Sequence, residues 1–355
     1  MKRTLFLVAT FVLWSAVSGC DALLTGAARP TRPERPARLY GGGATFLNPM
    51  MQRWIVEYEK STGRKVNYQS LGSGAGIEHA TTKTFDFGGT ESPLNEKQLK
   101  RAAETGGDIL HIPVCIGCVV PSYNLPGVEP PLRFTPKVLA GIFLGHIKKF
   151  NDPELQLLNP SVTLPDQDIA IVHRSDGSGT TYVWTDYLSK VSEEWKRKVG
   201  AATTVNWPVG VGHRGNEGVS QFIAKTPYTL GYNELSTAVN MKLQYGIVQN
   251  RDGVFIRPSL ASITAAVDAG VQEMPDDMRF MFTNMPGKES YPITGAAWVL
   301  VYTNQKPEKG KALVEFLRWV GHDGQGYCDH LQYARLPASL VQRIDKKLER
   351  IKTAK

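Results

Sequence analysis

Three times in this chain a short apolar strand runs through glycines into an amphipathic helix, and a chain built that way is an α/β protein. The first instance, LYGGGATFLNPMMQRWIVEYEKSTG, has a strand at Leu39 and Tyr40 and a glycine turn at Gly41, Gly42 and Gly43. A helix follows whose apolar face is Met51, Trp54, Ile55 and Tyr58, with Gly63 placed to stop it. The second, KVNYQSLGSGAGIEHATTKT, repeats the plan: a strand around Val66 and Tyr68, the run Gly72-Ser73-Gly74-Ala75-Gly76, then a helix. In the third, IAIVHRSDGSGTTYVWTDYLSKV, residues 169–172 read as a buried strand. Val183, Trp184, Tyr187, Leu188 and Val191 then recur at helical spacing.

Each junction offers exposed backbone N–H groups at a helix N-terminus, where the peptide dipoles add partial positive charge. Glycine lets a ligand approach the main chain closely. Thr45, Ser73, Ser178 and Thr180 add hydroxyl donors, and Arg174 adds a planar, permanently charged fork. One such junction alone is an ordinary turn with a helix cap. Three with an arginine are the parts of an anion cage.

The chain has 355 residues, 42% of them hydrophobic, enough for two domains with cores of their own. The formal net charge of +8 is not gathered into a basic stripe along the folded part, and no nucleic-acid motif accompanies it. Lys2 and Arg3 precede an apolar run from Leu5 to Trp14 and then small residues, the order of a secretory signal over residues 1–19. That run is shorter than the roughly 20 apolar residues a bilayer span needs. VSGC, ending at Cys20, resembles the lipobox of bacterial lipoproteins, in which the cysteine is acylated; the other reading is an ordinary cleavage site with an incidental cysteine. Asp21 resembles an inner-membrane retention signal, which applies in a diderm organism. AARPTRPERPAR, up to Arg38, reads as a semi-rigid basic tether, so that residues 20–38 hold a globular domain beside a membrane.

GGGATF, LGSGAG, DFGGTESPL, FLGHIKKFNDPELQLLNP, RSDGSGTT, VNWPVGVGHRGNEGV, LGYNEL and YPITGAAWVLV follow one another in this order. With them the chain resembles the phosphate-binding proteins of bacterial high-affinity phosphate ABC transporters, over residues 39 to about 350. The resemblance implies a type II periplasmic-binding-protein fold: two α/β lobes, joined by two crossover strands, with the ligand in the cleft between them. It puts residues 39–117 plus 292–355 in lobe one and residues 118–291 in lobe two. Carried over position by position, it places the phosphate contacts on Thr45, Phe46, Ser73, Arg174, Ser178, Gly179 and Thr180. Phe46 and Gly179 act through backbone N–H. Asp176 holds the Arg174 guanidinium, or else is a turn-forming aspartate before Gly177.

A cage of donors binds any tetrahedral oxyanion, so discrimination needs an acceptor. A buried carboxylate accepts the proton that phosphate still carries, and meets only lone pairs and negative charge on sulfate. The family has an aspartate there. This chain reads TESPL, making Glu91 the acceptor with one methylene more, or else a solvated surface glutamate beside a less selective pocket.

With Cys20 used for lipid, Cys115, Cys118 and Cys328 remain. Cys115 and Cys118 are three apart on an extended segment and face opposite ways, so one of them pairs with Cys328, or all three stay buried thiols. C-x-x-C without a second ligand pair predicts no metal site. A hydrolase using Ser73 or Ser178 would need a base in reach. The chain has no G-x-S-x-G, no H-E-x-x-H and no Walker-type loop, so the expectation is a non-enzyme without a cofactor. Its implied partners are inorganic phosphate, permease subunits with a separate ATPase, and a membrane reached through the lipid anchor. The implied state is a monomer in the periplasm or on the cell-envelope exterior, on the inner membrane in a diderm. A phosphate-sensing or scavenging lipoprotein without transport is the alternative.

Overall fold

The computed structural model describes residues 37–352. The expected signal segment, the acylated Cys20 and the tether as far as residue 36 lie outside the described residues. The strands, in chain order, are β1 Leu39–Gly43, β2 Val66–Ser70, β3 Phe87–Thr90, β4 Ile109–Asn124, β5 Arg133–Phe134 and β6 Ala170–Arg174. They continue as β7 Val211–His213, β8 Thr229–Glu234, β9 Gln244–Tyr245, β10 Ile247–Gln249, β11 Phe255–Ile256 and β12 Thr294–Tyr302. The main sheet has the order β2-β1-β3-β12-β4-β8-β6-β7, and β9 pairs beside β4. A small sheet, β11-β10-β5, lies apart from it.

β4 organises the molecule. Its first part pairs antiparallel with β12 as far as Cys118↔Thr294, and its second part pairs with β8 from Val119↔Glu234. The chain therefore leaves one half of the sheet at residues 118–119. It returns near residue 293, where the Val119 N–H donates to the Ile293 carbonyl at 2.9 Å. Between their ends both strands are buried on both faces, which is why they read as continuous apolar runs and not as alternating ones. On one side of this pair β2, β1 and β3 run parallel; on the other β8, β6 and β7 do. Parallel strands need covering helices on both faces, and the helices between them supply the cover.

The helix Asn48–Thr62 buries Met50, Met51, Trp54 and Tyr58, and Gly63 closes it in the left-handed region at φ 70°. The expected turn at Gly41, Gly42 and Gly43 is instead the second half of β1. Those glycines are there for packing. A Cβ on Gly41 would lie 2.2 Å from the Phe87 ring, and one on Gly43 would lie 2.2 Å from the Gly89 carbonyl. Likewise Gly74 and Gly76 belong to the first turns of the helix Ser73–Thr81 and not to a loop. The C-terminal helix, Ala338–Leu348, buries Leu340, Ile344 and Leu348; Val341 is half-buried, and Ile351 is buried beyond its end.

Candidate anion site

The residues that sequence reasoning singled out converge at the carboxyl ends of the parallel strands. Thr45 and Phe46 follow β1, Ser73 follows β2, Glu91 follows β3, and Arg174 is the last residue of β6. In open α/β sheets this edge is where helix N-termini and loop donors collect. Ser73 opens the helix Ser73–Thr81, whose preceding Gly72 sits at φ 93°. Ser178 caps the helix Gly179–Val191, its Oγ accepting from the Thr181 N–H at 3.1 Å, which leaves its hydroxyl proton free to be donated. Gly179 and Thr180 form the first turn of that helix.

Arg174 links the two sets. Its Nε and Nη2 donate to the two oxygens of Asp176, at 2.8 and 2.5 Å. Its Nη1 donates to Thr45 Oγ1 at 3.1 Å and to Asn216 Oδ1 at 2.8 Å. Asp176 is thus the arginine's holder and not merely a turn residue. It also accepts from the Gly215 N–H at 3.0 Å. Burial works against its charge, yet the Arg174 guanidinium and the Gly215 N–H hold its carboxyl below the ordinary range. The arginine side chain is 1% exposed.

Glu91 is 1% exposed and not a surface glutamate. Its Oε2 accepts from Ser73 Oγ at 3.0 Å, and its Oε1 is buried without a partner. Burial pushes the carboxyl up to about 8; Ser73 and Arg174 pull against that rise, and Glu234 adds to it. Gly179 presses directly on this pair. A Cβ there would lie 2.1 Å from Glu91 Oε2 and 2.5 Å from Ser73 Oγ, so any side chain would push this pair out of place. Alongside, the Gly74 N–H donates to the Gly177 carbonyl at 2.9 Å. Donors from both sides of β4 therefore surround one buried carboxyl.

Sequence reasoning missed Asn216. It is the second residue of the helix Gly215–Lys225 just past β7, and VGVGHRGNEGV is a fourth copy of the strand, glycine and helix plan. The signal was weak because β7 is three residues long. Tyr232 was missed as well: its hydroxyl accepts from the Arg174 N–H at 3.1 Å and bonds Thr181 Oγ1 at 2.6 Å.

His173 is no base for a nearby serine. Its ring stacks on Trp207, and its Nδ1 lies 3.1 Å from the Arg174 carbonyl oxygen. The bridge to Cys328 is not formed: Cys115, Cys118 and Cys328 are free, buried thiols. Burial pushes Cys115 up, and the nearby Cys328 adds to the rise; the Cys328 thiol itself hydrogen-bonds Gln325 Oε1 at 3.7 Å. Among the described residues no group of three or more His, Cys, Asp or Glu could hold a metal ion. No helix among them is long and apolar enough to cross a membrane.

A sheet divided at β4, with polar groups from both divisions meeting at its strand ends, is the two-lobed α/β architecture of a periplasmic binding protein. The PBP superfamily domain matches residues 30–323. The chain is 42% identical, over 86% of its length and 88% of the relative's, to a phosphate-binding protein PstS of Pasteurella multocida. It is 38% identical to one from Methanocaldococcus jannaschii, covering 92% of this chain and 90% of that one. The chain belongs to the PstS family of phosphate-binding proteins. The fold is similar to that of a high-affinity periplasmic phosphate-binding protein, PfluDING, solved with phosphate bound. The TM-score is 0.71 at 18% identity, over 87% of this chain and 93% of that one. A putative phosphate ABC transporter substrate-binding protein from Clostridium perfringens, also with bound phosphate, matches at TM-score 0.60 and 16% identity over 85% of this chain and all of the other.

Proposed function

We propose that this chain binds inorganic phosphate between its two lobes and delivers it to an ABC-type permease for high-affinity import. The observation that carries this reading is the buried Glu91 carboxyl, with one oxygen unpartnered, set among hydroxyl, amide and guanidinium donors. In the proposed complex Thr45, Ser73, Ser178 and Thr180 donate through hydroxyls, Phe46 and Gly179 through backbone N–H, and Arg174 through its fork. Glu91 shares a proton with the ligand. Asp176 is the support that keeps Arg174 aimed. The lobes are residues 39–117 with 292–355, and residues 118–291. Because each supplies part of the site, phosphate favours the closed arrangement by its differential affinity for it, and that closed form is what the permease recognises.

The same proposal makes the chain a binding protein and not an enzyme. Ser178 Oγ is held by its own helix, and the carboxyl that accepts from Ser73, Glu91, is the one this reading assigns to the ligand's proton. It further places the protein at the outer face of a membrane as a monomer, anchored through Cys20, with permease and ATPase as separate chains. Calorimetry of the mature chain with phosphate, alone and under excess sulfate, tests the ligand. Above about pH 8, where Glu91 is an acceptor-only carboxylate, tight phosphate binding that survives the sulfate is expected, and equal competition by sulfate there would refute it. A deletion strain that grows normally on limiting phosphate would favour sensing or scavenging over import.

A further inference from the structure

Arg174 has five N–H donors, and four are accounted for: one on Nε and one on Nη2 go to Asp176, and the two on Nη1 go to Thr45 and Asn216. Thr180 has a single hydroxyl proton, and it points at the same atom, Asn216 Oδ1, at 3.2 Å. One amide oxygen thus receives two donors carried by two different elements, the end of β6 and the first turn of the helix Gly179–Val191. The amide cannot be turned over, because Nδ2 would then face the Arg174 N–H, donor against donor. With its oxygen fixed, Nδ2 is buried without a partner, an uncommon state for a buried polar group. The neighbouring Gly215, at φ 72°, gives its N–H to Asp176. The Gly215–Asn216 corner therefore grips the arginine from both sides, through its carboxylate partner and through its Nη1.

We propose that Asn216 is a positioning residue of the anion site, holding the Arg174 guanidinium, whose one remaining N–H is on Nη2, and Thr180 Oγ1 at the spacing two ligand oxygens require. The inference rests on the phosphate reading above. Asn216 acts through the other two: an incoming oxyanion takes the Thr180 proton from the amide oxygen, while the arginine stays clamped. Discarding the amide frees Thr180 to turn its proton elsewhere and lets Nη1 swing toward Thr45 alone.

The test is a double-mutant cycle on the phosphate-stripped mature chain, titrated calorimetrically with inorganic phosphate: parent, Asn216→Ala, Thr180→Ala and the pair. Asn216→Ala is expected to weaken phosphate binding about ten- to a hundredfold, the loss of a buried charge-assisted bond. The double variant is expected to lose clearly less than the product of the two single losses, because both changes break one contact. A residue that merely supports the fold gives a multiplicative cycle, and that result, or an Asn216→Ala affinity within twofold of the parent, overturns the proposal. If Asn216→Ala does not fold, the isosteric Asn216→Asp keeps the acceptor and adds a charge one hydrogen bond from the donors. It is then expected to bind phosphate more weakly, with a shallower loss of affinity as salt is raised; parent-like affinity and salt slope overturn the proposal. A parent that binds no phosphate is a different failure, since it removes the phosphate reading and this inference with it.

Discussion

Glu91 carries a proton in the ligand-free protein at neutral pH, because burial lifts its carboxyl from 4.5 to about 8. In that state it is a donor and can serve any oxyanion, sulfate included. Above about 8 it becomes an acceptor-only carboxylate. Monohydrogen phosphate keeps its own proton into strongly alkaline solution and can still fill the gap between ligand oxygen and Oε1. Sulfate brings none. Sulfate's dissociation constant should therefore be nearly flat below about pH 7 and rise about tenfold per pH unit above about pH 8, a factor phosphate does not lose. Lifting the carboxyl that far corresponds to on the order of 5 kcal/mol against ionisation in the folded chain. The sign for stability follows: the folded state binds more protons than the unfolded state between 4.5 and about 8, so ligand-free stability falls as pH rises through that window. Glu91→Gln, which cannot ionise, should abolish both trends and leave phosphate and sulfate poorly distinguished. Calorimetric titrations with each anion from about pH 6 to about pH 10, with urea unfolding of the stripped protein alongside, measure both. Sulfate binding that ignores pH in the parent, or the same slope in Glu91→Gln, would refute the reasoning.

Asp176→Asn should leave a buried guanidinium without its carboxylate, costing ~3–5 kcal/mol in urea unfolding, with phosphate affinity falling as Arg174 loses its aim. Because the Asp176 carboxyl is held below its ordinary range, its stabilisation is complete above that range and is lost as pH falls through the folded value. An acid unfolding midpoint no different in Asp176→Asn would contradict this. Gly179→Ala puts a methyl group against Glu91 and Ser73 and should cost phosphate binding more than it costs thermal stability, which calorimetry and a melting curve separate. In the mature chain, thiol titration should find Cys115, Cys118 and Cys328 unreactive when native and all reactive in denaturant without reductant. A missing pair would show a disulfide after all.

Periodicity and punctuation carried the architecture. Helical spacing placed Trp54 and Tyr58 on the buried face of their helix and Val183, Trp184, Tyr187 and Leu188 on that of theirs, and Gly63 sits where a helix must stop. These signals are local, set by 3.6 residues per turn and by which residues tolerate positive φ, so a linear reading suffices. The donors were legible too, since hydroxyls and an arginine beside glycine at strand ends are unusual company. What the chain did not announce depends on neighbours far along it. Arg174 meets Thr45 across 129 positions and Asn216 across 42, and position 41 must be glycine because the Phe87 ring leaves no room for a Cβ. Glu91 looks like any glutamate until folding surrounds it. Sequence by itself determined the elements, their order and the kinds of group available. Tertiary structure alone decided which carboxyl is stripped of water and which amide holds the arginine, because desolvation is a sum over everything nearby in space.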